Sequence, residues 1–485
     1  MISLIVIHDK NYGIGNNGNI PWKFKQDLKF FREETDNNII IMGKNTWNSI
    51  PEQYRGLKNR INIIISTSIT YDKLKKENNT NSKIYLENNL EDGIKLGLNI
   101  QKLENKKIYI IGGSEIYKQT INNNLIDELV ITEIDDTYKT DCFINYSNLT
   151  LNNYFTKEIE DIDQTTNKLI KLKFNKYKVL DPVRKYKLDK NGEIQYLEIL
   201  EKIYNSTETK RQTRNGFTYS IFGEQIKIDL QKEFPIFTTK KMFWRGIVEE
   251  LLFFISGKTD ANILNNKGIK IWELNTSKTF LDSVNLNYDV GDMGPMYGFN
   301  WRHFGSNYIN KDTDYNNKGI DQLMYIINTL KSDPFNRRMI MTTYDPLTVN
   351  KCVLYPCHGI VTQFYVSNEG YLDCITYQRS ADAFLGLPFN ITSYALLVHI
   401  ICHFINSGDR ILELKPRYLI TYLGDVHLYE EHIESVKKQI KREPLFPPKI
   451  KINKQKPTDI SDYKFEDIEL INYIYYDQIK ANMKM

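Results

Sequence analysis

Residues 107–117 read Lys-Ile-Tyr-Ile-Ile-Gly-Gly-Ser-Glu-Ile-Tyr, an apolar run followed by two glycines and a helix-forming segment. The pattern predicts a buried strand that ends at Gly112 and Gly113, with a helix from Ser114. Backbone N–H groups at such a helix start suit a pyrophosphate, because glycine permits close approach and the helix dipole favours negative charge. A plain structural turn is the alternative, since no G-x-G-x-x-G motif is present.

The same pattern extends outward through the first 180 residues. Short Ile- and Val-rich runs predict strands at 3–7, 38–42, 60–66, 107–111 and 129–134, and amphipathic stretches predict helices at 25–34, 46–49 and 114–119. Continuous apolar strands with helical crossovers predict a mostly parallel sheet covered on both faces. Residues 165–179 alternate like a final strand or hairpin arm, and the run from Gly43 to Thr46 repeats the glycine helix start with a cation, Lys44.

A domain boundary is predicted at 181–192, where proline, glycine and charged residues cluster. Beyond it, helices are predicted at 193–204, 243–256, 322–331 and 393–406, and strands at 339–344 and 359–366. The sequence therefore predicts an α/β domain over 1–180, a short linker over 181–192, and an α+β domain over 193–485.

Composition excludes several classes of protein. The 485 residues are 41% hydrophobic and 26% charged, which is a globular composition. A net charge of +4 is too small to require a nucleic-acid or membrane partner, and no apolar run approaches the roughly 20 residues of a membrane span. The N-terminal run reads as a strand rather than a secretory signal. Five scattered cysteines without C-x-x-C spacing favour a reducing compartment, so we expect a cytoplasmic protein without disulfides or a metal site.

One acid, Asp27, lies on a predicted helix among Trp22, Leu28 and Phe31. A carboxylate surrounded by aromatic side chains has its pKa raised by desolvation, and it can accept two parallel N–H donors from a flat N-heterocycle. The alternative is an aspartate on the solvated side of an amphipathic helix.

One cysteine, Cys357, follows a proline at the edge of an apolar strand in Tyr355-Pro356-Cys357-His358-Gly359. Free cysteines are usually buried apolar residues, and we expect this of the other four. Arginines end two other apolar stretches, at 336–339 and 377–380, and two more lie in a polar loop at 211–214. Gathered near the thiol, they would hold a phosphate dianion and lower the pKa of Cys357, although Arg337 and Arg338 could equally form a solvated turn.

Residues 1 to about 180 resemble dihydrofolate reductase in a series of motifs: 13–15, 21–28, 42–47, 59–62 and 110–117. The resemblance implies that Asp27 binds the N3 and 2-amino side of the pterin and supports protonation at N5. It implies that Trp22 and Phe31 contact the folate, that Arg60 pairs with the glutamate α-carboxylate, and that Thr132 hydrogen-bonds Asp27 or its water.

The same resemblance implies NADPH as the reductant. Its expected contacts are Lys44, Thr46, Ser66, Thr67, Gly112, Gly113 and Tyr117. Lys44 and the hydroxyls of Ser66 and Thr67 would lie beside the 2′-phosphate. One position departs from the family: Ile7 stands where a small residue usually faces the pteridine.

Residues 193–485 resemble thymidylate synthase in long motifs: 237–241, 249–252, 294–303, 333–338, 356–358, 377–380, 385–390 and 424–429. The resemblance implies that Cys357 adds to C6 of dUMP, which makes C5 nucleophilic toward the methylene carbon of 5,10-methylenetetrahydrofolate. Loss of a proton and hydride delivery from the folate then give dTMP and dihydrofolate.

The resemblance also assigns roles to the residues around Cys357. The phosphate would be bound by Arg214, Arg379 and, from the neighbouring subunit, Arg337 and Arg338, with support from Ser380. Asn390 would read uracil N3–H and O4, while His427 and Tyr429 hold the ribose hydroxyl. Glu250 would organise proton transfers through water with His358 and Tyr297 nearby, and Trp272 and Asp382 would face the folate.

Two segments depart from the synthase pattern. The loop 210–218 lacks the R-T-G-x-G run and is one residue short, so the phosphate ligand is either Arg211 or Arg214. The stretch 359–364 is one residue longer than usual, which a β-bulge could absorb.

The two implied reactions are consecutive, so the resemblances together imply a bifunctional dihydrofolate reductase–thymidylate synthase. It would be a homodimer through the synthase half, with isologous C2 pairing, because the phosphate site borrows arginines from a partner. One rival is a dCMP hydroxymethylase, which would want an acid in place of Asn390, and another is a non-catalytic scaffold or RNA-binding half.

A row of lysines suggests a further hypothesis about folate transfer. Lys168, Lys171, Lys173, Lys176 and Lys178 could guide the anionic folate between the two sites. The alternative is an ordinary solvated strand face.

Overall fold

The chain divides into two compact units, Met1–Lys187 and Leu188–Met485. This computed structural model describes residues 1–183, 186, 188–206 and 210–482. The division falls inside the predicted linker, of which Arg184, Lys185 and Lys187 lie outside the described residues.

Unit 1 is built from short strands and helices in alternation. Its strands are β1 (Ile2–His8), β2 (Gly13–Gly15), β3 (Ile39–Gly43), β4 (Ile61–Ile65), β5 (Ile84–Glu87), β6 (Ile108–Ile110), β7 (Glu128–Ile134), β8 (Cys142–Phe143), β9 (Leu151–Ile162) and β10 (Leu169–Val179). Its helices are α1 (Lys25–Thr35), α2 (Lys44–Ser49), α3 (Tyr71–Glu77), α4 (Leu90–Glu104) and α5 (Ser114–Asn122).

The main sheet of unit 1 has the order β5-β4-β3-β6-β1-β7-β10-β9 within the described residues. Pairing is parallel from β5 to β7 and antiparallel for β10 and β9, which confirms the predicted mostly parallel sheet. The central strands are runs of buried isoleucine, as expected for strands covered on both faces. Strand β9 was not predicted, because its apolar residues, such as Tyr154, Phe155 and Ile162, do not alternate regularly with polar ones and are exposed.

Two of the four lysines of β10, Lys171 and Lys176, are paired with acids. Lys171 is 2.5 Å from Glu158 and Lys176 is 2.6 Å from Glu34, and Lys168, just before the strand, is 3.9 Å from Asp136. Because nearby carboxylates offset these charges, the structure favours a solvated, paired strand face over a guiding track for folate.

Unit 2 mixes helices with a second sheet. Its helices are α6 (Gly192–Asn205), α7 (Trp244–Ile255), α8 (Asn262–Asn265), α9 (Lys278–Ser283), α10 (Gly298–His303), α11 (Gln322–Ser332), α12 (Gly386–Asn406) and α13 (Ile433–Ile440). Its strands are β11 (Lys210–Thr213), β12 (Gly216–Asp229), β13 (Ile340–Thr342), β14 (Val361–Val366), β15 (Tyr371–Asp382), β16 (Lys415–Tyr429), β17 (Lys449–Ile452) and β18 (Ile468–Ile471).

Helix α12 lies in the core of unit 2, against the sheet formed in the order β11-β12-β16-β15-β14-β13. Its apolar window has a mean hydropathy of 1.4, enough by length and composition to cross a membrane, yet 78% of that window is buried within the protein. The helix begins seven residues before the predicted 393. Its first turn contains Pro388, and proline is tolerated at that position.

One face of this sheet is open in the single chain. Val361, Tyr377 and Tyr422 are exposed and stand in register on β14, β15 and β16. Ile340 and Tyr365 are also exposed on β13 and β14. An apolar and aromatic row of this kind is typical of a surface that another molecule covers.

Candidate active sites

A cavity of about 850 Å³ opens in unit 1 between β1, α1, α2, the loop 50–60 and β7. Six of the predicted site residues line it: Asp27, Phe31, Thr46, Arg60, Tyr117 and Thr132. Ile7 lines it as well, so the departure noted from the sequence bears directly on the shape of this cavity.

Asp27 lies in the first turn of α1, at the wall of the cavity. Burial raises the pKa of its carboxyl to about 6, against the opposing effect of a hydrogen bond with the Thr132 hydroxyl. The predicted pKa rise and the predicted contact with Thr132 are both confirmed. A carboxyl of this pKa can hold or release a proton near neutral pH.

The aromatic surroundings of Asp27 differ in detail from the prediction. Trp22 is buried and packs edge-on against Tyr138, with ring centroids 5.0 Å apart, and it does not line the cavity. Leu28 lines the cavity but is half exposed, and Phe30, on the same turn, completes the apolar wall. The helix thus places the acid at the cavity, while Trp22, which precedes the helix, packs away from it.

Arg60 is held rigidly at the cavity, with only 8% of its side chain exposed. Its Nη1 donates to the carbonyl oxygen of Lys58 at 2.7 Å, its Nη2 to that of Arg32 at 3.2 Å, and its Nε to the Thr35 hydroxyl at 3.2 Å. This fixes the plane of the guanidinium, as bidentate binding of a carboxylate requires. The side chains of Arg32 and Lys58 also line the cavity; sequence reasoning missed both, although Lys58 directly precedes the 59–62 motif.

The two glycine helix starts meet at the carboxyl ends of β3 and β6. The Gly43 N–H donates to the Gly112 carbonyl at 2.7 Å, and neither α2 nor α5 has a side-chain cap on its first N–H groups. Gly112 has a φ of +114°, and a Cβ there would lie 3.2 Å from the Tyr117 ring. A Cβ at Gly113 would lie 3.3 Å from Thr46 Oγ1. The space is a narrow cradle between two helix starts that have no side-chain cap, which suits a phosphate ester.

The cation beside this cradle, Lys44, contacts a hydroxyl other than those of Ser66 and Thr67, which were predicted to lie with it beside the 2′-phosphate. Lys44 Nζ donates to the hydroxyl of Ser68 at 2.9 Å. The Ser66 hydroxyl instead accepts the backbone N–H groups of Ser68 and Ile69, both at 3.1 Å, and so stabilises the turn. Thr67 is exposed next to it. Ser68 is therefore a phosphate-binding candidate that motif reading missed.

In unit 2, Cys357 lies in the loop before β14 with its thiol 3.4 Å from the Tyr297 hydroxyl. That hydroxyl also accepts the Cys357 N–H at 3.2 Å, and the Arg379 N–H donates to the Cys357 carbonyl at 2.9 Å. The Arg379 guanidinium donates to the carbonyls of Tyr355 and Pro356. The loop is thus fixed by backbone bonds on both sides of the cysteine.

The predicted lowering of the Cys357 pKa depends on gathered arginines, of which the single chain brings Arg379 close enough to act on the thiol. Burial raises the pKa of the thiol, and this outweighs the opposing effects of the Tyr297 hydroxyl and the Arg379 charge. Arg337 and Arg338, which were expected to contribute, are exposed in the turn between α11 and β13.

Glu250 and His358 flank the cysteine with opposite pKa shifts. Trp272 Nε1 donates to Glu250 at 2.8 Å, and burial raises the pKa of that carboxyl to about 7. The His358 ring stacks on Tyr297 with centroids 4.3 Å apart, and burial lowers its pKa to about 3. The pair therefore supplies a carboxyl that can exchange protons near neutral pH and an imidazole that stays neutral.

The remaining predicted residues lie on α12, β15 and β16. Asn390 is in the first turn of α12, and its amide makes no hydrogen bond to the part of the chain that the structure describes. His427 Nδ1 is 3.0 Å from Asp425, and its ring meets Tyr429 edge-on at 5.3 Å. Asp382 accepts the N–H groups of residues 384 and 385, and the Ser380 N–H is 3.5 Å from the Cys357 carbonyl.

The hairpin of β11 and β12 separates the two candidate phosphate arginines. Arg214 and Asn215 form its two-residue turn, and Arg214 lies close enough to Tyr429 to affect the pKa of that phenol. Arg211 is ion-paired with Asp425 instead. The geometry favours Arg214 as the ligand.

The extra residue after Cys357 does not form the predicted bulge. Strand β14 pairs with β13 and β15 in unbroken register from Val361 to Val366. The added length lies in the loop, where Gly359 has a φ of +57°. Glycine adopts that conformation without strain, so the loop absorbs the residue before the ladder begins.

Comparison with known proteins gives matches over both units. The thymidylate synthase family profile matches residues 194–485, and the dihydrofolate reductase family profile matches residues 1–179. The chain is 37% identical to bifunctional dihydrofolate reductase-thymidylate synthase 2 of Arabidopsis thaliana, over 99% of this chain and 88% of that protein. It is 35% identical to the bifunctional enzyme of Zea mays and 36% identical to that of Paramecium tetraurelia, each over 99% of this chain and at least 96% of the relative.

Proposed function

The chain belongs to the family of bifunctional dihydrofolate reductase–thymidylate synthases, and on that premise we propose how its residues carry the two reactions. It is an enzyme of dTMP synthesis that methylates dUMP and reduces the resulting dihydrofolate. The observation that carries the proposal is that one chain holds a buried titratable carboxyl in a folate-sized cavity and a buried thiol beside Tyr297.

In the reductase unit, Asp27 binds the pterin edge and supplies the proton needed at N5. Its pKa of about 6 supports this role, since the carboxyl can accept N–H donors when ionised and deliver a proton when protonated. Arg60 binds the glutamate α-carboxylate, and its fixed guanidinium plane supports that assignment. Phe31 and Thr132 complete the folate contacts, with Trp22 supporting the wall from behind.

NADPH is the proposed reductant, and the residues present fit it. The cradle at Gly112 and Gly113 leaves space that a Cβ would fill, and Lys44 with Ser68 offers a cation and a hydroxyl for a 2′-phosphate. When bound, NADPH would supply the hydride for reduction. The chain's own contribution is to hold the dinucleotide at Thr46, Ser66, Thr67 and Tyr117 and to present the pterin beside it.

In the synthase unit, Cys357 is the nucleophile that adds to C6 of dUMP, and 5,10-methylenetetrahydrofolate is the one-carbon donor. Because burial raises the pKa of the thiol, the free chain holds it protonated, and nearby positive charge must favour the thiolate. Arg379 already acts in that direction, and Arg337 and Arg338 of a second subunit would add to it. Glu250 serves the proton transfers through water, with Tyr297 and His358 beside it.

Substrate choice rests on Asn390. An amide can accept the N3–H of uracil and donate to O4, whereas cytosine N3 is an acceptor and would call for an acid. Nothing in the comparisons favours the hydroxymethylase or the non-catalytic alternatives. The proposed ribose contact Tyr429 lies near Cys357 and meets the His427 ring edge-on, and the proposed folate contact Trp272 lies beside Tyr297, with ring centroids 6.1 Å apart. Asp382, the other proposed folate contact, pairs in register with His427 on the neighbouring strand.

A homodimer through the synthase unit is proposed on two observations. The row of Val361, Tyr377 and Tyr422 leaves an apolar sheet face open. Arg337 and Arg338 are exposed and make no ion pair with the described residues. We further propose a cytoplasmic location, which the five free cysteines support.

A single coupled assay tests both activities. Purified protein is mixed with dUMP, 5,10-methylenetetrahydrofolate and NADPH, and dihydrofolate formation and NADPH loss are followed by absorbance. Asp27→Asn should abolish NADPH oxidation and leave dTMP formation, and Cys357→Ser should do the reverse when dihydrofolate is supplied, so each variant controls the other. NADPH loss that never depends on dUMP, or synthase turnover in Cys357→Ser, would contradict the proposal.

A further inference from the structure

Tyr394 contacts His358 and has no part in the reaction as proposed so far. It lies on α12, one turn after Asn390, with 3% of its surface exposed. Its hydroxyl is 3.3 Å from His358 Nδ1, and the two rings meet edge-on with centroids 5.8 Å apart. His358 is therefore held between Tyr394 and Tyr297, and the second of these touches the Cys357 thiol.

Gly359 allows this contact to form. A Cβ at Gly359 would lie 1.7 Å from the Tyr394 hydroxyl oxygen, so a larger residue would displace the phenol. The loop is held in place because the Thr343 hydroxyl donates to the Gly359 carbonyl at 2.9 Å. The approach of Tyr394 to the cysteine loop is thus fixed by backbone as well as by packing.

Three threonines face α12 beneath Tyr394. Thr362, Thr376 and Thr421 stand in register on β14, β15 and β16, and are 0%, 2% and 2% exposed. None of their Oγ1 atoms makes a direct hydrogen bond of good geometry to a described residue. Thr362 and Thr376 lie close enough to the phenol to act on the pKa of Tyr394 in the lowering direction, against the rise caused by burial.

The threonine hydroxyls can set the direction of the hydrogen bond between Tyr394 and His358. A buried hydroxyl needs a partner, and the phenol oxygen is within reach of two of them. If the threonines donate to that oxygen, its own proton points at His358 Nδ1. In a neutral imidazole, one nitrogen accepts a hydrogen bond and the other donates one. The hydrogen bond made by one nitrogen therefore determines which of the two carries the proton.

We propose that Tyr394 is a positioning residue for the synthase reaction: it donates to Nδ1 of His358, holds the ring with its proton on Nε2, and takes this direction from Thr362 and Thr376. The proposal rests on the place given to His358 in the synthase site. In this proposal, the threonines of the sheet and Tyr394 of α12 together set the tautomer of His358, which is next to the proposed nucleophile.

The test is 15N NMR of histidine-labelled protein without substrate, combined with synthase kinetics. The wild-type His358 signal, assigned with His358→Asn, should show a proton on Nε2 and an accepting Nδ1. Tyr394→Phe keeps the ring but removes the donor, so the signal should shift or split into two tautomers. Synthase kcat should fall about tenfold with KM for dUMP changed less than about threefold, since the nucleotide contacts remain.

Tyr463→Phe is the matched control. The Tyr463 hydroxyl is 2.7 Å from Nδ1 of His403, which also lies on α12, but neither residue belongs to the site. This variant should move only the His403 signal and leave kcat unchanged. Thr362→Val and Thr376→Val preserve volume in the sheet and should move the His358 signal in the same sense as Tyr394→Phe, with a smaller loss of kcat.

Each outcome bears on the proposal. An unchanged His358 signal in Tyr394→Phe, or a wild-type kcat in that variant, overturns it. Equal kcat losses in Tyr394→Phe and Tyr463→Phe would show a packing effect and overturn it as well. Failure of the wild-type protein to turn over dUMP would contradict the proposed function instead, while the NMR signal would still report whether Tyr394 sets the tautomer.

Discussion

Asp27 in unit 1 and Glu250 in unit 2 have raised pKa values for the same physical reason. Each is a carboxyl whose pKa is raised by burial, to about 6 and about 7, so each can take up or release a proton near neutral pH. The hydrogen bonds from Thr132 and Trp272 oppose the shift and keep the carboxyls from becoming permanently protonated. At both sites, the proton-handling group is tuned by desolvation more than by a neighbouring charge.

Glu250→Gln tests this tuning through stability. The ordinary pKa of the group is 4.5, so the folded protein binds this proton more tightly than the unfolded chain does. Stability from this group is therefore fully present below pH 4.5 and is lost as pH rises through about 7. The amide has no proton to lose and still accepts from Trp272.

We expect Glu250→Gln to be inactive as a synthase yet more stable than wild type above pH 7, by about 3 kcal/mol. The gain should shrink toward pH 5. Thermal or urea unfolding at pH 5, 7 and 8.5 checks the trend, and a stability difference independent of pH would contradict it.

Residue types predicted some of these features and missed others. The raised pKa of Asp27 follows from the apolar side chains near it in sequence, on one helix. The bond between Trp272 and Glu250 joins α7 to a loop 22 residues away, and local patterns carry no record of such contacts. Arg32 and Lys58 were missed because surface cations acquire a role only once folding places them at a cavity.

At the scale of elements, the central strands of unit 1 were predicted, whereas β5, α3 and α4 of unit 1 and β12, β15 and β16 of unit 2 were not. Buried parallel strands such as β3 and β4 are continuous apolar runs, which sequence reading detects well. Strand β9 is exposed along its length, and α12 begins at a proline-containing turn that resembles a helix stop. Both errors arise where tertiary packing overrides local preference.

The hairpin of β11 and β12 bears on which of two arginines binds the dUMP phosphate, a choice that the sequence left open. Arg214 occupies the turn near Tyr429, and Arg211 is ion-paired with Asp425. We expect Arg214→Ala to raise KM for dUMP about tenfold, because a phosphate contact is lost, with little change in folding.

Arg211→Ala is the matched control, one hairpin strand away. It breaks an exposed ion pair and should change KM for dUMP less than about twofold. Steady-state kinetics of both variants, with reductase activity as an internal reference, make the measurement. A larger effect from Arg211→Ala than from Arg214→Ala would reverse the assignment.

At the scale of the whole molecule, the open sheet face and Arg337 and Arg338, which make no ion pair with the described residues, have one explanation in common. Both belong to unit 2, and both acquire a function if a second copy covers the face. Sequence patterns could not show this face, since its tyrosines alternate with buried residues as in any half-buried strand.

Mixing two inactive variants tests whether the phosphate site is shared. Cys357→Ser lacks the proposed nucleophile, and Arg338→Ala lacks a proposed phosphate ligand. In a mixed dimer with shared sites, one site recovers both the intact cysteine of one chain and the intact arginine of the other. We expect the mixture, after subunit exchange, to recover about a quarter of wild-type synthase activity, since half the dimers are mixed and each has one whole site.

The controls define the alternatives. Each variant alone should stay inactive, and sedimentation should give twice the mass of a single chain. A mixture that stays inactive although exchange is demonstrated would place both groups within one chain. A monomer with full activity would remove the dimer from the mechanism.

Helix α12 is both the centre of the unit 2 core and the support for Asn390 and Tyr394. Where an active site lies on mobile loops, heating can unfold the site locally while the core stays folded, and folded but inactive protein then accumulates. Here Asn390, the amide proposed to read uracil, lies on a helix buried in the core of unit 2, which we expect to unfold only with the whole unit. Loss of synthase activity on heating should thus coincide with unfolding of unit 2. In the cell, folded protein without synthase activity should be rare.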